Sequence, residues 1–176
     1  MRHVAFLRGI NVGKRRVTGA DLEAAFLAAG CTGPSSYQAA GNIVFDDDRT
    51  GVELVDVLEA TLESELGYEV RVILRSAEQV AELASQEPFS APELEGAGKP
   101  QAILVAVHPS DADAEAGIAL CPDGELLRFS DGVLWWLPAA GVLDSPLDMG
   151  ALEGLVGLNT MRTKGTIERI AKKYCS

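Results

Sequence analysis

The segment SSYQAAGNIVF, residues 35–45, predicts a β-hairpin, and this hairpin determines the fold class. It divides into two short extended segments around Ala40-Gly41-Asn42. These three residues tolerate the positive φ angles that a tight hairpin turn requires. Two consecutive strands therefore stand in the middle of this part of the chain.

A helix and a strand flank the hairpin on each side. Before it, HVAFLR at residues 3–8 predicts a buried strand, and an amphipathic helix follows from an N-cap at Thr18 to Gly30. After it come a helical stripe within residues 50–67 and the strand YEVRVIL at residues 68–74. The order strand, helix, strand, strand, helix, strand is that of the split βαβ or ferredoxin-like arrangement.

The second half of the chain partly repeats this order. QAILVAV, residues 101–107, predicts a buried strand followed by an acidic helix. Asp131-Gly132 between two apolar runs favours a type I′ hairpin. A weak helix and a final helix beginning near Thr166 complete a rough structural echo of the first half, although no direct sequence repeat is visible.

The predicted fold is α+β, with two ferredoxin-like (α/β-plait) subdomains that have antiparallel or mixed sheets. The first subdomain spans residues 1–75 and the second spans residues 101–176. Residues 76–100 form a helix and a linker, because EPFSAPELEGAGKP has three prolines, two glycines and no periodicity.

Composition bounds the class of protein. The 176 residues are 47% apolar, which is enough for a buried core, and no apolar run is long enough to span a bilayer. No export signal is visible and the three cysteines are dispersed, so we expect a cytoplasmic protein. The acidic run at residues 46–48 precedes a helix, where it complements the helix dipole, and we predict no metal site there. The sequence assigns no cofactor and no oligomeric state.

The charge is unevenly distributed. The net charge of −11 argues against a general nucleic-acid binder, because phosphate neutralisation dominates such binding. Residues 1–19 nevertheless hold five cations and no acids, and residues 160–176 hold five cations and one acid. Both ends of the chain are basic and its middle is acidic.

The basic loop RGINVGKRR, residues 8–16, suggests an anion site. Gly9 and Gly13 allow sharp turns that bring backbone N–H groups to a ligand, and Lys14 supplies a charge. The spacing is not that of a P-loop, because three residues rather than four separate the glycines and Arg15 follows the lysine. Two interpretations stay open: a nest for a phosphate or carboxylate, or a turn whose cations are solvated.

Three motifs resemble a known family. They are LRGINVG at residues 7–13, Y-x-x-x-GN at residues 37–42 and TMRTKGT at residues 160–166. They are similar to motifs of the bacterial family called domain of unknown function 1697, whose members carry LRGINVGG, Y-x-x-SGN-h-x-F (h apolar) and T-x-RN-W-x-T. The resemblance implies a pair of α/β-plait subdomains and candidate positions, but no reaction.

The sequence departs from these motifs at several positions. Lys14 replaces the last glycine of LRGINVGG, and Ala40 replaces the serine before Gly41. Thr163 and Lys164 stand where the family has Asn and Trp, whereas Thr166 is retained. We expect an altered site if the family site requires that serine or that tryptophan.

The three segments predict one basic cleft, in which the 9–16 loop, the 40–42 turn and the approach to the last helix converge. A helix beginning near Thr166 would add its N-terminal amides. The predicted ligand is a small anion such as a phosphorylated metabolite or nucleotide. The predicted ligand-binding residues are Arg8, Gly9, Asn11, Gly13, Lys14, Tyr37, Gly41, Asn42, Arg162 and Thr166.

Some of these residues have a second interpretation. Asn11 and Asn42 either orient the ligand or bond their own turns. Tyr37 either contacts the ligand or packs on the sheet.

A different class of function is an RNA- or protein-binding plait module without catalysis. Only 6% of the chain is aromatic and no stacking run is present, which favours the small ligand. His3 and His108 have no evident partner for a catalytic pair, and the sequence assigns no catalytic residue.

Overall fold

A computed structural model describes residues 1–11, 13, 16–38 and 41–175, and the chain divides into two compact units. The first unit comprises Met1–Glu82 and Ile170–Ser176, and the second comprises Leu83–Arg169. Residues 83–100, within the predicted helix and linker, lie in the second unit.

The first unit contains a four-stranded sheet. Its elements are β1 (Arg2–Arg8), α1 (Gly19–Ala28), β2 (Thr32–Ser36), β3 (Asn42–Asp46), α2 (Gly51–Leu66), β4 (Arg71–Ser76) and the first part of α3 (Ala77–Ser85). The strand order is β2-β3-β1-β4, and every neighbouring pair is antiparallel. This is the ferredoxin-like arrangement that the hairpin at residues 35–45 predicts.

The second unit contains another four-stranded sheet. Its elements are α4 (Ala91–Leu94), β5 (Gln101–Val105), α5 (Asp111–Ile118), β6 (Leu126–Ser130), β7 (Val133–Leu137), a 3₁₀ turn (Val142–Asp144), α6 (Met149–Val156), β8 (Asn159–Thr163) and most of α7 (Lys164–Tyr174). The strand order is β6-β7-β5-β8, again with antiparallel neighbours. Within the described residues, no helix is long and apolar enough to cross a membrane.

The two sheets have the same topology, strand for strand. The hydrogen bond from Leu7 N–H to Gly41 C=O in the first sheet, at 2.8 Å, has its counterpart in Val105 N–H to Gly132 C=O in the second, at 3.3 Å. The prediction of two ferredoxin-like subdomains is therefore confirmed, with fully antiparallel sheets. No strand was predicted at β8 from the sequence, because NTMRT has a single apolar residue, Met161, and so shows no alternation of apolar and polar residues.

Helices cover one face of each sheet. In the first unit α1 and α2 bury a cluster that includes Ala5, Leu7, Leu22, Phe26, Phe45, Leu54 and Leu58. In the second unit α6 closes a cluster that includes Ile103, Leu134, Trp136, Leu152 and Val156. Each fully buried Leu or Phe side chain contributes about 1.5–3 kcal/mol, so each unit has its own core.

The segment predicted as a linker contains α4. At the start of this helix, the N–H and the hydroxyl of Ser90 both donate to Glu93 Oε2, at 2.8 and 2.9 Å. Arg128 on β6 binds the Glu93 carboxylate at 2.5 Å, and its guanidinium lies 5.2 Å from the ring centre of the buried Phe89. A four-residue helix is too short to show periodicity, and for this reason the sequence suggested only a linker.

Candidate anion-binding site

The basic loop and the hairpin turn lie at the same end of the first sheet. Because β1 and β3 are antiparallel, with Phe6 opposite Asn42, the last residues of β1 adjoin the first residues of β3. The N–H of Leu7 donates to the carbonyl of Gly41 at 2.8 Å. We call this region the loop end; it comprises the described residues among 8–18 and 37–41. The first unit thus brings together two of the three predicted segments.

Ile10 anchors the loop beneath the hairpin. It packs against the first core. Gly41 has φ +71°, and a Cβ atom there would lie 2.4 Å from Ile10 Cδ1 and 3.0 Å from Leu7 Cβ. Only glycine leaves the space that Ile10 fills. The sequence had not singled out Ile10, and its apolar side chain among glycines and cations was the available signal.

The loop is turned by left-handed residues and closed by a side chain. Gly9, Asn11 and Gly13 have φ values of +90°, +52° and +62°. The Asn11 Oδ1 atom accepts a hydrogen bond from the N–H of Val17 at 2.7 Å, and Arg16 Nη1 donates to the Gly13 carbonyl at 3.1 Å. Among the described residues, none accepts a hydrogen bond from the N–H of Gly9 or Gly13.

Asn42 holds the hairpin from inside. It is the fully buried first residue of β3, and its Nδ2 donates to the Tyr37 carbonyl at 3.0 Å, while the Tyr37 N–H donates to the Asn42 carbonyl at 2.8 Å. Among the described residues of the turn, Gln38 and Gly41 have positive φ angles, whereas Asn42 does not. The predicted turn residue Ala40 lies outside the described residues.

The Tyr37 ring packs against the C-terminal end of the chain, within the first unit. It makes an edge contact with Tyr174, with 6.1 Å between ring centres, and the Lys173 ammonium lies 5.7 Å from the Tyr37 centroid. The Tyr174 hydroxyl is 3.1 Å from Ser35 Oγ. These contacts match the packing interpretation of Tyr37.

The cations of the first unit have different surroundings. Arg8 ends β1 and lies in register with Arg71, whose guanidinium binds Glu59 at 3.2 Å and Glu69 at 3.3 Å. Arg8 and Arg16 are the described cations of the loop end. The predicted contact residue Lys14 and its neighbour Arg15 lie outside the described residues.

Arg2 belongs to the opposite end of β1. Its guanidinium binds the two carboxylate oxygens of Asp46 at 3.2 and 3.1 Å. The hydrogen bond to Asp46 raises the pKa of Arg2. The five cations within residues 1–19 therefore do not form a single patch.

Arg16 borders a hollow of mixed charge. This hollow has a volume of about 420 Å³, and Asp21 and Glu65 line it together with Arg16. Carboxylates in the lining repel an anion. The lining of this hollow is therefore unfavourable for an anion.

The N-terminus of α1 is satisfied by its own residues. The Asp21 N–H donates to Thr18 Oγ1 at 3.2 Å, and the Thr18 N–H donates to Asp21 Oδ2 at 2.9 Å. Hydrogen bonds from the backbone and the side chain of Thr18 lower the pKa of Asp21. A carboxylate of the chain therefore already occupies the N-terminal end of α1.

Arg162 is a partly buried residue of β8, in the second unit. Its Nη1 donates to Thr160 Oγ1 at 3.0 Å and to the Met161 carbonyl at 2.8 Å. Burial lowers the pKa of its guanidinium to about 10. Because Arg8 belongs to the first unit, the convergence of these two arginines stays a prediction.

Thr166 belongs to the first turn of α7. That helix begins at Lys164, two residues before Thr166, and the Thr163 hydroxyl caps it. The Thr166 N–H donates to Thr163 Oγ1 at 3.2 Å, and the two hydroxyls are 2.9 Å apart. The helix amide expected to bind the anion therefore already has an acceptor.

The hydrogen bonds of Arg162 and Thr163 before α7 have counterparts in the first unit, before α3. Arg75 Nη1 donates to the Leu74 carbonyl at 2.8 Å, as Arg162 does to the carbonyl before it. The Gln79 N–H donates to Ser76 Oγ at 3.1 Å, as the residue at the same helical position of α7 does. An arginine and a hydroxyl residue thus end both β4 and β8, and a helix starts directly after each strand. This short repeat was the sequence signal for β8.

The second unit provides an internal comparison for the loop. Residues 9–18 connect β1 to α1, whereas residues 106–110 make the equivalent connection from β5 to α5 and contain no lysine or arginine. Both connections end in the same kind of cap, here Ser110 with Asp113. Five residues are therefore enough to connect the first strand of this topology to its helix, and the ten-residue basic loop is specific to the first unit.

Comparisons with known proteins identify a family and a fold. The family model described as protein of unknown function (DUF1697) matches residues 1–135. The structure of the conserved bacterial protein SP0830 from Streptococcus pneumoniae is similar to this chain, with a TM-score of 0.68 and 20% sequence identity, over 97% of this chain and 96% of that one. At this identity the likeness concerns the fold. No curated protein matches the chain.

Proposed function

The chain belongs to the DUF1697 family, and from its own geometry we propose that the loop end of the first unit binds a small anion, such as the phosphate group of a metabolite. The backbone N–H groups of the loop and the guanidinium groups of Arg8 and Arg16 supply the donors. Charged hydrogen bonds of this kind are about twice as strong as neutral ones.

The observation that carries the proposal is the difference between two equivalent connections. Where the second unit uses five residues, the first uses ten, which contain Lys14, Arg15 and Arg16 and no acid. Left-handed turns at Gly9, Asn11 and Gly13 are the backbone feature from which anion nests are built. Neither the added length nor the added charge is needed to close the fold.

Thermal unfolding in increasing phosphate tests the proposal. We expect phosphate to raise the Tm of the wild type, and Arg8→Ala or Arg16→Ala to reduce that shift. A hydrogen bond to a charged group contributes about 1.5–3 kcal/mol, so each substitution should weaken phosphate affinity about tenfold or more.

Arg2→Ala is the matched control. It removes the same side chain from the same strand, but from the end opposite the loop, where Arg2 binds Asp46. It should lower the basal Tm slightly and leave the phosphate shift intact. Equal phosphate shifts in the wild type and in the Arg8 and Arg16 variants would contradict the proposal.

Salt dependence separates a small anion from RNA. A ligand that neutralises one or two charges loses affinity gradually with salt, whereas a polyanion that contacts many cations loses it steeply. We expect a shallow log–log slope, near one, for phosphate compounds. A slope of several units with RNA oligomers, together with no effect of phosphate, would instead support the RNA-binding module.

A further inference from the structure

We propose that Asn11 is a positioning residue, which holds the loop in the conformation that the anion requires without contacting the anion itself. This inference rests on the proposed function. Its basis is the 2.7 Å hydrogen bond from the Val17 N–H to Asn11 Oδ1, which joins residues six positions apart in the chain.

The bond fixes the backbone next to Arg16, the described cation within the loop. The Val17 N–H belongs to the peptide group that follows Arg16, so fixing it also fixes the backbone from which the Arg16 side chain extends. Arg16 in turn donates to the Gly13 carbonyl at 3.1 Å. Two successive contacts therefore connect Asn11 to Val17 and Arg16 to Gly13 among the described residues of the loop.

The backbone at position 11 suits asparagine. Its φ of +52° is left-handed, a conformation that asparagine adopts more readily than most residues with a side chain. The preceding residue, Ile10, is held by the core and by the space that Gly41 leaves. Packing at position 10 and the side-chain hydrogen bond at position 11 thus fix the start of the loop together.

Preorganisation explains how this affects affinity. A loop that is ordered before the ligand arrives loses no further conformational entropy on binding. Without the Asn11 side chain, binding itself would have to order the segment up to Val17. Phosphate affinity should then fall although no phosphate contact has been removed.

Two substitutions and two measurements test the inference. Asn11→Gly keeps the left-handed backbone accessible but removes the acceptor, whereas Asn11→Asp keeps an oxygen acceptor and removes the amide donor. We would measure hydrogen exchange at the Val17 amide without phosphate, and phosphate affinity by calorimetry. Asn11→Gly should speed exchange at least tenfold and weaken phosphate at least tenfold, whereas Asn11→Asp should keep the slow exchange.

The outcomes separate positioning from direct contact. Weaker phosphate binding in Asn11→Gly with unchanged Val17 exchange would mean that Asn11 touches the ligand, and would overturn the inference. Faster exchange with unchanged phosphate affinity would also overturn it, since the bond would then serve only the fold. If the wild type binds no phosphate, the proposed function is wrong, and the positioning role of Asn11 is wrong with it.

Discussion

At the scale of single residues, Gly41 and Ile10 link two of the three motifs on which the family resemblance is based. The loop supplies an apolar anchor and the hairpin supplies the glycine that makes room for it. Neither motif alone accounts for the apolar residue at position 10 or the glycine at position 41. Their physical relation is a packing contact between residues 31 positions apart.

Gly41→Ala should therefore destabilise the protein through two effects. A left-handed alanine costs about 1–2 kcal/mol, and forcing Ile10 aside costs roughly a further 1–3 kcal/mol. Gly67→Ala is the control, because Gly67 has φ +78° but nothing within 4 Å of an added Cβ. Free energies of unfolding from chemical denaturation should show the larger loss at Gly41, and equal losses would refute the packing argument.

Individual site residues could be predicted from the sequence only in part. Glycines and asparagines in the motifs indicated turns, and the contacts of Asn11 and Asn42 with their own loops agree with one of the two interpretations left open. No periodic pattern in the sequence indicated a role for Ile10, because that role depends on Gly41 in the hairpin turn. A contact of that kind leaves no periodic signal in a sequence.

At the scale of elements, periodicity explains both the successes and the misses. Helices α1 and α2 show apolar side chains at helical spacing, and the hairpin at Asp131-Gly132 has positive φ at both turn residues, as its type requires. β8 and α4 were missed. The first is a mostly polar strand and the second a single turn, so neither shows a periodic pattern of apolar residues.

The tie between α4 and β6 predicts a pH dependence. The hydrogen bond from Arg128 lowers the pKa of Glu93 to about 2, from an ordinary value of 4.5. Because the folded state has the lower pKa, this stabilisation is complete above about pH 4.5 and is lost as the pH falls toward 2.

Glu93→Gln isolates this contribution. The variant should unfold more easily than the wild type near neutral pH, and the difference in denaturation midpoint should shrink between pH 4.5 and 2. Glu95→Gln, at an exposed position two residues further on, serves as the control. A wild-type to Glu93→Gln difference that stays constant across this range would show that the ion pair does not stabilise α4.

At the scale of the whole molecule, the chain carries one topology twice with unequal charge. The second unit has thirteen acidic and five basic residues, whereas the first has thirteen acidic and ten basic. The net charges are therefore −3 for the first unit and −8 for the second, so the first unit repels an anion less, and a long polyanion is repelled by the chain as a whole. This agrees with a small ligand held by one loop.

The fold class could be predicted from the sequence, but the completeness of the repeat could not. Strand and helix order in the first half was sufficient for the ferredoxin-like topology, whereas the second copy has diverged at β8 and in the loop before α5. Arg75 and Arg162 are recognised as equivalent only when β4 is aligned with β8, because each pairs with the equivalent position of its central strand, Val4 or Ala102. The convergence of Arg162 with the loop depended on long-range placement, for which the sequence holds no local signal.

The most direct measurement replaces the loop with its own counterpart. Residues 9–18 would be exchanged for AVHPS, residues 106–110, which keeps a serine cap three residues before Asp21. We predict a chimera that unfolds cooperatively but is no longer stabilised by phosphate, whereas the wild type is. A folded chimera with the wild-type phosphate shift would contradict the assignment of anion binding to this loop.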